Sequence, residues 1–176
     1  MPQGNFFFII RIMKIGVLSD THGILLPQVK QFLSSCHQIW HAGDIGSMEV
    51  WEELQAFRPL KAVYGNIDGN DIRNVCPQVS CFEAEGLKIL MTHIGGYPPK
   101  YNAASKLLLQ QYEPDIFVCG HSHILKVIYD HERKTLSLNP GAAGTFGFHK
   151  AITCLRFDIS NKTPQNMEVY HQDRKF

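Results

Sequence analysis

The sequence predicts an α/β fold in which a largely parallel β-sheet is followed by a second, more mixed sheet. In the first half of the chain, apolar strands alternate with helical segments, which is the pattern of parallel strands joined by helical crossovers. In the second half, most apolar runs are separated by turns, which favours a strand-rich, mixed sheet. The length of 176 residues suits one domain, which is predicted over residues 13–176.

The first half contains three strands and two helices. Strands are predicted over residues 14–20, 38–44 and 60–66, where β-favouring apolar residues run up to a polar end. Helices are predicted over 27–36 and 47–57. Pro27 suits the first turn of a helix because its missing N–H is not needed there, and Ser47 can cap the second helix.

The second half contains more strands than helices. Residues 79–93 are predicted to form two strands joined by a turn at Glu85 and Gly86. One helix is predicted before Pro114, and a hairpin is expected to turn near Glu132 and Arg133. This helix is predicted over 103–112 and the hairpin over 124–141, and the remaining strands over 115–118, 151–159 and 167–172.

Residues 1–12 are expected to be an extension ahead of the domain. Their apolar run, Phe6 to Ile10, is too short for the apolar region of a secretion signal and too short to span a bilayer. No positively charged segment precedes this run. We expect the metal-binding residues to begin after this extension, at Asp20.

Composition limits the classes of function. A hydrophobic content of 44% and a charged content of 19% indicate a globular chain. The net charge of +1, without a basic run, gives no electrostatic footprint for nucleic acid. The five cysteines form no CxxC pair, which predicts reduced, mostly buried thiols in a cytoplasmic protein. Neither nucleic acid nor a membrane is therefore an expected partner.

Side chains that can bind metal follow five of the predicted strands. Alone, each is ambiguous, because Asp and Asn also stabilise turns and a single His at a strand end usually has a structural role. Together they indicate one site, since ligands bind outside the carboxyl ends of strands in α/β sheets. The candidate donors are Asp20, His22, Asp44, Asn66, His93, His121 and His123.

These donors are imidazoles, carboxylates and one amide, which suit manganese, iron, nickel or zinc. Seven donors are too many for one tetrahedral zinc, so two divalent ions sharing a carboxylate are predicted, with manganese favoured. Gly43, Gly65 and Gly120 are expected to let the backbone turn towards the ions. The other histidines are predicted to be surface or hydrogen-bonded structural residues: His37, His41, His131, His149 and His171.

These motifs resemble those of the calcineurin-like metallophosphoesterases. In order along the chain they are Asp20-Thr21-His22, Gly43-Asp44, Gly65-Asn66-Ile67-Asp68, His93 and Gly120-His121-Ser122-His123. The resemblance spans residues 13 to about 160 and is strongest to the small YfcE-like phosphodiesterase branch, which shares the loop Asn139-Pro140-Gly141. It implies a four-layer αββα sandwich, in which two mixed β-sheets are flanked by helices.

The resemblance also implies a distribution of the ligands. One ion is expected to be held by Asp20, His22, Asp44 and His123, and the other by Asp44, Asn66, His93 and His121. A metal-bridging hydroxide is then expected to attack a small phosphodiester. The residues expected to take part in catalysis are Asp44, Asn66, His93 and Asp68.

The roles of several residues in or near the motifs have alternative interpretations. Asp68 is expected to orient His22 or a metal-bound water, or else to be a turn carboxylate. Many members of the wider family have a histidine after the motif asparagine, whereas this chain has Ile67, which cannot donate a proton. In the loop over residues 93–102, Tyr97 or Lys100 is expected either to touch substrate or to belong to a packed turn.

Three other functions compete with the phosphodiesterase interpretation. A non-catalytic scaffold of the same fold is possible, as in a eukaryotic retromer subunit, although all seven donor positions are kept here. A phosphomonoesterase is disfavoured by Ile67, and a nuclease by the low net charge. The expected partner is a small phosphoester substrate, and a second candidate partner is another copy of the chain, in a dimer or a tetramer.

Overall fold

Two five-stranded β-sheets lie face to face in the computed structural model, which describes residues 12–174. The predicted extension over residues 1–12 therefore lies outside the described residues, apart from Ile12. The helices are α1 Pro27–Phe32, α2 Met48–Phe57, α3 Asn70–Val75 and α4 Ala103–Tyr112, with a 3₁₀ turn over Leu33–Ser35. The strands are β1 Met13–Leu18, β2 Gln38–His41, β3 Leu60–Ala62, β4 Val79–Ala84, β5 Leu87–Thr92, β6 Gly96–Tyr97, β7 Lys100–Tyr101, β8 Ile116–Val118, β9 Leu125–Asp130, β10 Thr135–Pro140, β11 Ala151–Ser160 and β12 Thr163–Asp173.

The first sheet has the strand order β12-β11-β1-β2-β3. Strands β1, β2 and β3 are parallel, as expected for strands joined by helical crossovers, and β11 pairs antiparallel with both β1 and β12. The carboxyl ends of β1, β2 and β3 therefore lie at one edge, where the first three predicted donor motifs follow.

The second sheet has the order β4-β5-β8-β10-β9 and mixes parallel with antiparallel pairs. Strand β8 pairs parallel with both β5 and β10, whereas β4 and β9 pair antiparallel at the two edges. The prediction of a second, mixed sheet in the strand-rich half is confirmed. The ends of β5 and β8 deliver the remaining donor motifs.

Three apolar clusters lie between the four layers of the fold, which are two sheets and the helices on either side of them. A cluster that includes Val17, Trp40, Met91 and Val118 lies between the two sheets and is fully buried. Helices α1, α2 and α3 cover the outer face of the first sheet, and α4 covers the outer face of the second. The predicted αββα sandwich is thus confirmed, and burial of these faces is its main source of stability.

Four local features differ from the sequence predictions. Helix α3 and the short hairpin β6–β7 were not predicted, and the first helix ends at Phe32 before the 3₁₀ turn. Strand β12 begins at Thr163, four residues before the predicted start, because it pairs with β11 along nearly its whole length.

All five cysteines are free thiols and four of them are buried, as predicted, while Cys81 is exposed. Across residues 12–174, no helix is both long and apolar enough to cross a membrane.

Candidate metal centre

The loops that follow β1, β2, β3, β5 and β8 meet at one edge of the sandwich, and backbone hydrogen bonds join them. The N–H of Asp20 donates to the carbonyl of Gly43 at 3.0 Å, and the N–H of His22 donates to the carbonyl of Asp44 at 3.1 Å. Between the two sheets, the N–H of His121 donates to Asp20 Oδ2 at 3.1 Å. The two sheets therefore contribute to one site, as the strand-end argument predicted.

Asp20, His22 and His123 form the first group of donor atoms. Each offers one atom, and these atoms lie within 4.8 Å of one another. His123 Nε2 lies 3.1 Å from Asp20 Oδ1 and 3.3 Å from His22 Nε2. Asp20 is fully buried, and its Oδ1 has no hydrogen-bond partner among the described residues. A buried carboxylate oxygen without a donor is costly, so this oxygen marks a position for a cation.

Asp44, His93 and His121 form the second group, again within 4.8 Å of one another. His93 Nε2 lies 3.3 Å from Asp44 Oδ1 and 3.1 Å from Asn66 Oδ1, which adds the predicted amide donor. Asp44 Oδ2 lies 3.9 Å from His22 Nε2 of the first group. Asp44 is therefore placed between the two groups, where a shared carboxylate is needed.

The hydrogen bonds of His93 show that its second nitrogen suits a metal. His93 Nδ1 lies 2.8 Å from the carbonyl of Ala42, which can only accept, so this nitrogen carries the proton. In the neutral ring, the lone pair on Nε2 then faces the oxygens of Asn66 and Asp44. Either a second proton or a cation is needed to hold these electron-rich atoms together. The donor set fits divalent ions.

The charges of the site agree with this arrangement. Burial favours the neutral form of Asp44, but the hydrogen bond and charge of protonated His93 and the N–H of Ile67 outweigh it and lower the pKa of the carboxyl. Burial also opposes the charged form of His93, but the hydrogen bond to Asp44 and the charges of Asp20 and Asp44 in turn raise the pKa of His93, so a proton takes the place of a cation there. Burial lowers the pKa of His22, and the charges of Asp44 and Asp20 offset it only in part. At neutral pH, Asp44 is thus a carboxylate and His22 a neutral imidazole, the forms that bind metal.

Most of the donors sit on backbone of unusual conformation. Positive φ angles between 49° and 66° occur at Asp20, His22, Asp44, His121 and His123. Residues other than glycine adopt this left-handed region rarely, although Asp and His tolerate it better than most. Such conformations cost about 1–3 kcal/mol each and cluster at functional sites. This feature of the site was not predicted.

Gly65 and Gly120, which were predicted to let the backbone turn sharply, are needed for close approach between loops. A Cβ at Gly65 would lie 2.0 Å from Asp44 Oδ1, and one at Gly120 would lie 1.9 Å from Ser19 Oγ. Neither glycine has a positive φ. Gly43, by contrast, has a φ of +93°, as the prediction of a sharp turn requires.

Asp68 holds the loops of the site together. It is buried, and its two oxygens accept three backbone N–H groups, from Ile45 at 3.2 Å, Gly46 at 2.7 Å and Gly65 at 2.8 Å. These contacts support the turn interpretation of Asp68. The neighbouring Ile67 has a half-exposed side chain, and its N–H donates to Asp44 Oδ1 at 3.1 Å.

His41 and His149 are not among the predicted donors, and their contacts in the structure differ. His41 is fully buried, and its two ring nitrogens contact Thr21 Oγ1 at 2.9 Å and the N–H of Gly43 at 3.2 Å. Its structural role agrees with the prediction. His149 contacts the site itself, because its Nδ1 lies 3.1 Å from His123 Nδ1.

The contacts of His149 determine which nitrogen of His123 is protonated. His149 Nε2 donates to the carbonyl of Gly144 at 3.0 Å, and burial lowers the pKa of His149 and keeps the ring neutral. Its Nδ1 is therefore an acceptor, and His123 Nδ1 must be the donor. The lone pair of His123 is then on Nε2, which faces Asp20 Oδ1. Sequence reasoning missed this contact because His149 follows no strand end.

The loop over residues 93–102 forms the hairpin β6–β7 beside the site. Tyr97 and Lys100 line a cavity of about 290 Å³ together with His121. Lys126 Nζ lies 3.9 Å from the centre of the Tyr97 ring. The expectation that this loop faces the site agrees with the structure.

Comparisons with known proteins agree with the fold. The calcineurin-like phosphoesterase superfamily domain matches residues 13–162. A probable metallophosphoesterase of Methanocaldococcus jannaschii is 32% identical over 144 residues, which cover 78% of this chain and 72% of the relative. A phosphodiesterase of the same organism is 27% identical over 146 residues, which cover 73% and 83% respectively.

Among solved structures, Vps29 of Chaetomium thermophilum has a similar fold, with a TM-score of 0.69 and 17% identity. The match covers 91% of this chain and 97% of Vps29. The protein described here belongs to the calcineurin-like phosphoesterase superfamily, as its motifs predicted. Members of this family use divalent metal ions, and the two donor groups provide places for them.

Proposed function

We propose that this protein is a dinuclear metal-dependent phosphodiesterase that hydrolyses small phosphodiesters. The observation that carries the proposal is the position of Asp44 between the two donor groups. Its Oδ2 lies 3.9 Å from His22 Nε2, and its Oδ1 lies 3.3 Å from His93 Nε2. The unpartnered Oδ1 of Asp20 supports a cation in the first group, and the lone pair of His93 supports one in the second.

The residues of the two groups would hold the two ions. Asp20, His22 and His123 belong to one ion, Asn66, His93 and His121 to the other, and Asp44 is shared. When bound, two divalent ions lower the pKa of a water molecule towards neutrality and stabilise negative charge on the phosphoryl oxygens. Manganese as the resident metal, homo-oligomers and a cytoplasmic location stay predictions from the sequence.

Ile67 supports a diester as the substrate. Its half-exposed side chain stands where much of the wider family has a histidine, and it has no proton to give to a leaving group. Among nearby cations, Arg73 already donates to the carbonyls of Asp68 and Asn66. A singly charged diester needs less compensation outside the ions than a doubly charged monoester. The similarity to a named phosphodiesterase gives further support.

Metal analysis combined with a phosphoester panel tests this function. We expect the purified protein, loaded with Mn(II), to hold two ions per chain and to cleave bis(p-nitrophenyl) phosphate faster than p-nitrophenyl phosphate. Asp44→Asn removes the shared negative charge, and we expect it to lower metal content and to reduce turnover by at least ~10³-fold. Asp173→Asn is the matched control, because the Asp173 side chain is strongly exposed, pairs with His171 and belongs to neither donor group.

Other outcomes separate the alternatives. Two bound ions without cleavage of any ester would favour a scaffold role, which the fold shared with Vps29 brings into consideration. Faster cleavage of the monoester would favour a phosphomonoesterase. Near-normal turnover of Asp44→Asn would refute the dinuclear mechanism.

A further inference from the structure

A cavity of about 700 Å³ opens beside the second donor group. Asn66 and His93 form part of its lining, so the cavity is continuous with the proposed metal centre. Its opposite wall is formed by residues of α4 and of β4. A phosphoryl group held at the centre would therefore have one neighbouring space large enough for a sizeable ester group.

Much of the lining of this cavity is apolar. The apolar part is formed mainly by Val79, Ile94, Leu107 and Leu108. Two of these side chains are strongly exposed, Ile94 at 46% and Leu107 at 68%. Large aliphatic groups exposed side by side next to a candidate active site suggest a surface that a ligand covers.

The polar groups that line the cavity are largely occupied within the protein. Asn102 donates to the carbonyl of Ile94 at 2.7 Å and accepts from the N–H of Ser105 at 2.7 Å. The hydroxyl of Ser105 donates to the same carbonyl at 3.3 Å. Arg73 donates to a backbone carbonyl at 2.7 Å and stacks on Tyr64. A ligand in this cavity therefore meets mostly carbon.

A smaller cavity of about 290 Å³ adjoins the larger one, because Ile94 and Asn102 line both. Its lining also includes Lys100, Lys126 and the donor His121. The larger cavity, of about 700 Å³, has more room for a bulky apolar group.

We propose that the larger cavity is a subsite for a bulky apolar ester group, such as an aryl group, so that phosphodiesters with one large apolar substituent are the preferred substrate class. This inference rests on the proposed function, because the metal centre is what places the phosphoryl group at the mouth of the cavity. The subsite itself is formed by Val79, Ile94, Ala104, Leu107 and Leu108.

Binding of phosphonates tests the subsite without requiring turnover. Methylphosphonate, phenylphosphonate and 1-naphthylphosphonate share one metal-binding group and differ in the apolar group. We would measure their dissociation constants by calorimetry on the Mn(II)-loaded full-length protein. Burial of the aromatic ring should make 1-naphthylphosphonate bind about 10-fold tighter than methylphosphonate.

Two neighbouring alanines of α4 provide a matched pair of variants. Ala104 lines the cavity and is exposed, so Ala104→Trp fills the subsite without disturbing the core. Ala103 is equally exposed but is not part of the lining, so Ala103→Trp is the control. We expect Ala104→Trp to abolish the preference for the naphthyl group, while methylphosphonate binds as before. Leu107→Gln should reduce the same preference by making the wall polar.

Each remaining outcome contradicts a defined part of the inference. If methylphosphonate binds and the aryl compounds bind no tighter, the subsite is refuted while the proposed function stands. If the preference survives both Ala104→Trp and Leu107→Gln, the aromatic group lies elsewhere. If methylphosphonate does not bind to metal-loaded protein, the proposed function itself fails.

Discussion

His149 is predicted to control the affinity of one metal ion and not the other. Its Nδ1 accepts from His123 Nδ1 at 3.1 Å, which leaves the lone pair of His123 on Nε2, towards Asp20. His149→Leu removes this acceptor. The second donor group, around His93, has its own proton acceptor in the carbonyl of Ala42 and should not be affected.

The size of the effect follows from two losses. Without the acceptor, His123 can adopt either tautomer, which lowers the population with a lone pair on Nε2, the form that can bind the metal, by about twofold. Loss of one hydrogen bond that orients the ring, worth about 1 kcal/mol, gives roughly a further fivefold. The expected decrease is about 10-fold, at the lower end of the 10–100-fold typical for groups that orient a ligand.

Titration of metal-free protein with Mn(II), followed by calorimetry, measures this effect. We expect one of two binding equivalents to weaken in His149→Leu and the other to stay unchanged. His149→Gln should restore most of the affinity, because its amide can accept from His123 and donate to Gly144. His131→Leu is the control, since His131 is exposed and packs only on Tyr129 among the contacts described.

Two results would refute this reasoning. Equal weakening of both equivalents in His149→Leu would indicate a general loss of structure. Unchanged affinity would show that His149 does not orient His123. Nitrogen-15 NMR of the metal-free protein gives an independent measurement, because the proton of His123 should be found on Nδ1 in the parent and in His149→Gln only.

Three further predictions concern other residues. Without a proton donor at Ile67, the rates of cleavage of a series of phosphodiesters should depend steeply on the pKa of the leaving group. Ile67→His should flatten this dependence by restoring part of the ~10²–10⁴-fold rate increase that general acids supply. An equally steep dependence in the variant would place the leaving group elsewhere. Asn66→Ala should weaken mainly the ion of the second donor group, so that excess Mn(II) partly restores turnover, and no restoration in a folded protein would contradict a ligand role. Burial lowers the pKa of His41 to about 4, so between pH 6.5 and 4 the unfolded chain binds a proton that the folded chain does not. The unfolding free energy of the metal-free protein should therefore fall by about 3 kcal/mol as the pH drops through this range, and urea unfolding of His41→Asn should show a smaller fall.

The two sheets and most helices could be predicted because their apolar residues recur with clear periods. Helix α3 was missed because it is six residues long, has Gly69 as an N-cap that offers no side chain, and buries only Ile72 fully. So short a segment shows no helical period. The hairpin β6–β7 was missed for a similar reason, since each strand has two residues around a Pro-Pro turn.

The donors were predictable because each follows a strand whose end is fixed by the fold. His149 was not, because its contact with His123 depends on how the loop after β10 folds back over the site. The chain between Gly141 and β11 has no regular structure, and local sequence does not determine its path. A histidine outside the motifs can be assigned to the site only when the tertiary structure is known.

The left-handed conformation of the donors explains why the site needs so many contacts that do not touch a metal. Five strained residues would relax unless the surrounding loops held them in place. Asp68 holds the loops by accepting hydrogen bonds from three backbone N–H groups. The carbonyls of Gly43 and Asp44 hold the first loop by accepting from the N–H groups of Asp20 and His22. These bonds are formed by the protein alone, and none requires an ion. The loops that carry the donors are therefore held by hydrogen bonds within the protein, and less of the free energy of metal binding is spent on ordering them.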